Sequence, residues 1–280
     1  MSKVRVTAAT VVFLVAVCAS AATFTVTNTS DSGPGSLRQA IVDANAAAGG
    51  TVAFSIPSSP RTITLLSGLP EASATVIIDG TTQPGYLGSP LIEIRGSGIP
   101  NTGFQACIRT RGTVRGLAIN RCQFAAIEGF GAPVISANYI GISLLGGFAT
   151  GNGTGIRLGS PGSGAIIGGS TFADGNVISN NTAGVASDLV SNILISHNKI
   201  GTDASGSFSI GNGTGLFLND ATNITITSNV ISGNSIGIRT MLVSNMTIKN
   251  NAIGTGTTGS SISNGTGSRC SQPTPPPSAT

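Results

Sequence analysis

The side chains able to do acid–base or metal chemistry are few and scattered. Beyond residue 21 the acids are Asp31, Asp43, Glu71, Asp79, Glu93, Glu128, Asp174, Asp188, Asp203 and Asp220, and no two are neighbours in sequence. Glycoside hydrolysis needs two carboxyl groups held about 5–10 Å apart. The best pair by position is Asp188 with Asp220, each just before a short alternating stretch, with Asp203 in a nearby loop. These three are the carboxylate candidates, and a calcium site would need more oxygen ligands than they supply. His197 is the only histidine. It fills a slot held elsewhere by Ala137, Ser228 and Asn250, which marks it as a solvated corner residue rather than a base. No serine-nucleophile motif and no cysteine–histidine arrangement stands out. No catalytic residue is assigned, and no metal or cofactor is expected.

A second set of residues shares a position rather than a chemistry. Arg109, Glu128, Arg157, Phe217 and Arg239 each follow an aliphatic residue at the same place in a recurring unit, with Ala186 at that place in the intervening unit. Stacked one strand apart, Arg109, Glu128 and Arg157 would alternate in charge, each pair worth about 0.2–1 kcal/mol. Arg239 beside Phe217 would form a cation–π pair. The column reads either as a charge ladder on a solvated wall or as a shallow cationic strip for an acidic glycan.

The recurring unit is what must position these side chains. Asn223 opens "NITITSNVISGNSIGIRTMLVS" and Asn245 opens "NMTIKNNAIGTG", 22 residues on. The same frame starts at Asn192 ("NILISHNKIGTD"), and earlier at Ala132, Thr113, Leu91 and Thr75. Each unit holds three short alternating strands with Asn and Gly at the corners, the layout of one solenoid coil. One coil cannot bury its apolar face alone, but stacked coils share a core. About nine coils fit between Arg61 and Gly267, a stack of about 40 Å at roughly 4.8 Å per coil. Asn138, Asn176, Asn198, Asn229 and Asn251 hold one corner column. Asn tolerates left-handed backbone and bonds locally to the chain, and stacked Asn can bond to one another.

"GNGTG" occurs at Gly151–Gly155 and again at Gly211–Gly215, with a worn copy ending at Gly267. A dinucleotide fingerprint needs a helix after the glycines and an acid about 20 residues on. Here "GIRL" and "GLFL" follow, which are strands. The motif is therefore a repeated corner loop, expected to pack Phe148 and Phe208 beneath it, and no nucleotide is expected.

Charged residues make up 9% of the chain, against about 25% in an ordinary globular domain. Polarity must then be met by backbone pairing and by small Ser, Thr and Asn side chains. The start, "MSKVRVTAATVVFLVAVCASAA", has the cationic end, apolar run and small-residue site of a secretory leader over 1–21. Losing Lys3 and Arg5 leaves twelve cations against ten acids, a net charge of +2. With no basic run, no nucleic-acid partner is expected. No later stretch is apolar enough for a membrane span. Cys107, Cys122 and Cys270 remain, an odd number, and Cys107 can meet Cys122 only if neighbouring turns bring them together.

These repeats resemble the right-handed parallel β-helix proteins of the pectin-lyase-like class. "TFTVTNTSDSGPGSLRQAIVDANA" (Thr23–Ala46) is similar to the cap segment of large secreted bacterial members, where an "SLR-x-AI" helix precedes the coils. Ser36 and Gln39 are spaced as a capping box, and Leu37, Ala40, Ile41 and Ala44 recur at helical spacing. The expected fold is all-β, a right-handed parallel β-helix with a short N-terminal capping helix. The cap covers 22–60, the coils 61–267 and a Pro/Ser/Thr tail or linker 268–280. The sparse acids, the smooth Ser/Thr/Asn/Gly surface and the missing site constellation point to a secreted or cell-surface non-catalytic module, structural, adhesin-like or glycan-binding, and the resemblance by itself implies the alternative, a polysaccharide lyase or hydrolase. Its expected partner is a polysaccharide or surface glycan, and the oligomeric state is left open.

Overall fold

The computed structural model describes residues 22–271 except Thr102, Phe104 and Ala149. Residues 1–21, read from sequence as a leader, and residues 272–280, read as part of a tail, lie outside the described residues. Parallel strands wind as a three-faced, right-handed β-helix. One coil shows the path. Lys199–Ile200 forms the third face, and a loop leads to Thr214, where the long strand Thr214–Thr227 begins. Its first half lies on the second face, it turns at Asp220 (φ 44°), and its second half lies on the first face. Ser228 and Asn229 then turn the chain into Val230–Ile231, the next rung of the third face. Because the long strands run round the bend, first and second faces join in one 14-stranded sheet, while the third face is a separate 8-stranded sheet.

The alternation of each strand sends one aliphatic residue inward at the same height in every rung. On the second face these are Ile108, Ile127, Ile156, Val185, Leu216 and Ile238. On the first face Val114, Ile135, Ile167, Ile195 and Ile226 stack, and on the third Ile94, Ile119, Ile140, Ile178, Ile200 and Ile231. All are buried in one core. Each contributes about 1.5–3 kcal/mol over an exposed position.

Residues 22–60 do more than cap. Thr23–Val26 and Gly50–Phe54 are themselves rungs of the first face. Between them the helix Leu37–Ala46 buries Leu37, Ala40, Ile41 and Ala44, at the expected spacing. The capping box is half formed. Ser36 Oγ accepts from Gln39 N at 3.2 Å, but the Gln39 amide turns to Asp43 Oδ1 at 2.8 Å instead of reaching back. Arg38 fastens the helix to the coils through Asp31 and the carbonyls of Ser67 and Gly68. At the other end, strand pairing continues to Ser271, so the coils run into the stretch read as tail from 268. The backbone of 266–271 finds partners along 236–241, whatever its composition suggests.

Burial pushes the carboxyls of Asp31 and Asp79 up, but their hydrogen bonds outweigh it and hold both below the ordinary value of 3.8. For Asp31 these come from Arg38 and the Leu66 N–H; for Asp79, from Arg115 and Thr81. A depressed carboxylate stabilises the fold fully above its unfolded pKa, and that stability is lost as pH falls through the folded value. Urea midpoints are expected to hold steady from pH 7 to about 5 and to fall below about 4. Asp79→Asn should flatten that acid limb. An acid limb as steep in the variant as in the native chain would contradict it.

Candidate functional site

Two columns of asparagine tie successive coils together from Asn138 onward. In the first, Asn138, Asn176, Asn198, Asn229 and Asn251 are linked from one to the next. Each Oδ1 accepts both the backbone N–H and the side-chain amide of the Asn before it. The left-handed residue is not the Asn itself, as expected from sequence. It is the residue before: Ala137, His197, Ser228 and Asn250 have φ between 54° and 59°. The Asn side chain is needed inside the corner, so the residue ahead of it makes the turn.

A second column was missed from sequence. Asn152, Asn181, Asn212, Asn234 and Asn264 form the same chain of bonds at the corner between third and second faces. Asn152 and Asn212 are the asparagines of "GNGTG", which explains the motif. Its third residue can only be small, because Gly153 and Gly213 sit against carbonyls of the coil before. The available signal was the recurring Asn-Gly-Thr-Gly itself, whose asparagines are Asn152, Asn212 and Asn264. Phe148 and Phe208 do not pack beneath these loops as expected. They are 76% and 72% exposed: each loop closes on its own backbone, and the apolar cluster of this region is made by Ile142, Val177 and Ile210 with Tyr139 and Ala204.

The outward column of the second face has the register read from sequence. Arg109 pairs with Glu128, Glu128 with Arg157, Arg157 with Ala186, Ala186 with Phe217, and Phe217 with Arg239. Glu128 is nearly buried and is clamped by Arg109 Nε at 3.2 Å and Arg157 Nη1 at 3.3 Å. Glu71 extends the ladder, 3.3 Å from Arg109 and 2.6 Å from Arg111. Phe130 lies under both Arg109 and Arg111, at 5.0 and 5.6 Å. Glu71, Arg111 and Phe130 escaped the sequence reading, although Phe130 stands two residues from Glu128 and so on the same side of the strand. Arg239 covers Phe217 at 5.1 Å. The small side chain of Ala186 leaves a notch of about 270 Å³ between Arg157 and Phe217, bordered by Asp188 and Asn219.

The carboxylate candidates do not converge. Asp188 stands opposite Asn219, which bonds it at 2.6 Å, and Asp220 is the exposed bend residue one step on. The two strands keep an offset of 31 residues through the bend at Leu189 and Asp220, and the two acids are 32 apart, so they fall one place out of register. Asp203 is spent on its own loop, accepting from Ser205 Oγ and from the N–H groups of Ser207 and Phe208. Burial raises its carboxyl, and these bonds more than offset that and lower it. His197 is a corner residue, as expected, but not fully solvated. Its Nδ1 lies 2.9 Å from the Gly169 carbonyl and its ring meets Phe172 edge-on at 5.5 Å. Cys107 and Cys122 are joined in a disulfide, the pairing that sequence left open. The side chain of Cys270 lies outside those described.

The profile of the family described as "NosD: Periplasmic copper-binding protein (NosD)" matches residues 111–269. No curated protein matches. Among solved structures, the Azotobacter vinelandii mannuronan C-5 epimerase AlgE4 A-module shares 14% identity, covering 81% of this chain and 87% of its own, with a TM-score of 0.25. The AlgE6 A-module of the same organism shares 13% identity over 76% and 74%, with a TM-score of 0.22. Superpositions this loose carry no argument about activity.

Proposed function

The chain belongs to the NosD family, and on that premise we propose that it is a non-catalytic β-helix module working outside the cytoplasm, whose second face holds an acidic glycan. What carries this reading is the closed ladder Glu71–Arg109–Glu128–Arg157. It pairs the carboxylates of Glu71 and Glu128 and leaves Arg157 and Phe217 on the Ala186 notch, with Arg239 one rung on over Phe217 and the bordering Asp188 bonded to Asn219. A sugar ring against Phe217, with its carboxylate toward Arg157 or Arg239, suits that arrangement. The secretory leader and the family's periplasmic description support the location. Among the described residues no helix is long and apolar enough to cross a membrane.

Copper, which the family's description names, does not fit the donors among the described residues. Thiolate, thioether and imidazole suit copper. Cys107 and Cys122 are consumed in their disulfide, His197 is a single imidazole, Met246 packs against the core, and the Met241 thioether faces the Arg239 guanidinium at 3.9 Å. Among the described residues no group of three or more His, Cys, Asp or Glu could hold a metal ion.

Affinity electrophoresis in polygalacturonate and alginate gels at low salt tests the glycan reading. The native chain is expected to be retarded, and the Arg157→Gln/Arg239→Gln double variant to lose about tenfold in affinity, the weight of one or two charge-assisted contacts. Equal migration of the two proteins would sink it. Release of unsaturated or reducing sugar ends during incubation would instead favour the lyase or hydrolase alternative.

A further inference from the structure

The widest groove described lies on the opposite side of the coil from the arginine column, and the second-face reading does not use it. It encloses about 780 Å³ over the corner between first and third faces. That size is in the range of small-ligand sites, about 300–1,000 Å³. Its floor is apolar, with Val230 and Ala252 stacked in register. One rim is the left-handed corner column His197, Ser228 and Asn250. One wall is the loop 169–175, braced by Ser170 and Thr171 on Asp174. The other is the loop carrying Thr257, which is tied to the loop before it through Gly206 O and Ser205 O. Phe172, 46% exposed, closes one end.

Two polar groups on this rim have unused capacity. A carbonyl only accepts, so His197 Nδ1 must carry the proton it shares with Gly169 O. In the neutral ring that leaves the Nε2 lone pair free. The Asn250 amide makes no hydrogen bond among the described residues, whereas the exposed asparagines at the corner between second and first faces, Asn192, Asn223 and Asn245, bond one another. No Asp, Glu, Lys or Arg lines the groove. Lys199 stands beside it, with its ammonium donated to Ala204 O and lying 6.0 Å from the Phe172 ring. His197 and Asn250 are two rungs apart, about 10 Å along the axis, close to the length of a disaccharide in an extended chain.

We infer that this groove binds an uncharged oligosaccharide laid along the solenoid axis. One sugar ring rests on Phe172 with a hydroxyl on His197 Nε2, the next ring reaches the Asn250 amide, and the apolar faces of the chain lie against Ala252 above the buried Val230. An amphipathic floor and rim without ionic side chains suits a ligand whose own faces are apolar and whose edges are hydroxyls. An acidic chain would find no cation lining the groove.

Titration calorimetry with cellotetraose, chitotetraose, maltotetraose and tetragalacturonate tests this on the full chain. At least one neutral tetrasaccharide is expected to bind more tightly than its monosaccharide. Phe172→Ala and Asn250→Ala should each weaken it about tenfold, the loss of one aromatic or amide contact. Both positions are open to solvent, so melting temperatures should stay unchanged, and Asn250→Asp gives a second reading at the same place. Binding must persist in the Arg157→Gln/Arg239→Gln variant, which separates this groove from the second face. The inference is overturned if no neutral tetrasaccharide binds at millimolar concentration, if only tetragalacturonate binds, or if Phe172→Ala binds as the native chain does.

Discussion

Asn198→Ala is expected to cost about 3–5 kcal/mol of stability, the largest effect of any single polar substitution in the chain. Asn198 is fully buried and joins three coils. Its Oδ1 accepts from the backbone N and the side-chain amide of Asn176, at 3.0 and 2.9 Å. Its own amide donates to Ile167 O, Ser196 O and Asn229 Oδ1. Alanine would strand the Asn176 donors and the Ile167 carbonyl inside the corner, and each buried group left unpaired costs about 1–3 kcal/mol. Asp at this position should fare little better, because it keeps the acceptor and loses both donors. Asn192→Ala is the comparison, since Asn192 bonds Ser163 and Asn223 in an exposed column and should cost about 1 kcal/mol, mostly the left-handed backbone at its φ of 55°. Urea unfolding followed by circular dichroism measures both. In a stack where each coil holds only its neighbours, the buried change should also broaden the transition. Equal losses for Asn198→Ala and Asn192→Ala would remove the ladder from the account of stability.

The second large effect is expected at the first glycine of "GNGTG". A Cβ at Gly151 would stand 1.5 Å from the Asn180 carbonyl oxygen, and one at Gly211 would stand 2.0 Å from that of Gly233. These are backbone atoms of the next coil, so neither can rotate aside. The coils must move apart, which strains the asparagine column beginning one residue later. Gly151→Ala and Gly211→Ala should each destabilise on the order of 3 kcal/mol or more. Gly147, a few residues earlier in the same loop, has nothing within 4 Å of its Cβ position, and Gly147→Ala should leave the melting temperature within error. Melting curves of the three variants decide it. A tolerated Gly151→Ala would mean that coil spacing is not set by this contact.

Much of the architecture was legible because it is local. The inward Ile, Val and Leu of each rung recur at period two within a few residues. The corner that follows each strand is marked by Asn or Gly in the same short frame. Counting one place after the aliphatic residue was enough to put Arg109, Glu128, Arg157, Ala186, Phe217 and Arg239 in one column, and the strand register has them so. Asp188 and Asp220 were paired without that counting. The two strands stay 31 residues apart on both sides of the bend, and these acids are 32 apart, so Asp188 meets Asn219 and Asp220 is itself the bend residue level with Leu189.

What sequence alone determined, then, is the coil: three short strands, an apolar interior, and which side chains share a height. Backbone periodicity dictates these over a few residues at a time. Only the tertiary structure decided how the corners are used. Coil lengths differ, with linked asparagines 22, 31 or 38 residues apart, so corner partners cannot be found by a fixed offset. Stacking brought Asn152 under Asn181, closed the Cys107–Cys122 disulfide and turned Phe148 and Phe208 outward. It also set the loop of Phe172 across from the loop of Thr257 to make a groove. These outcomes depend on contacts between coils, and the energy that selects them lies in hydrogen bonds and packing between segments distant along the chain.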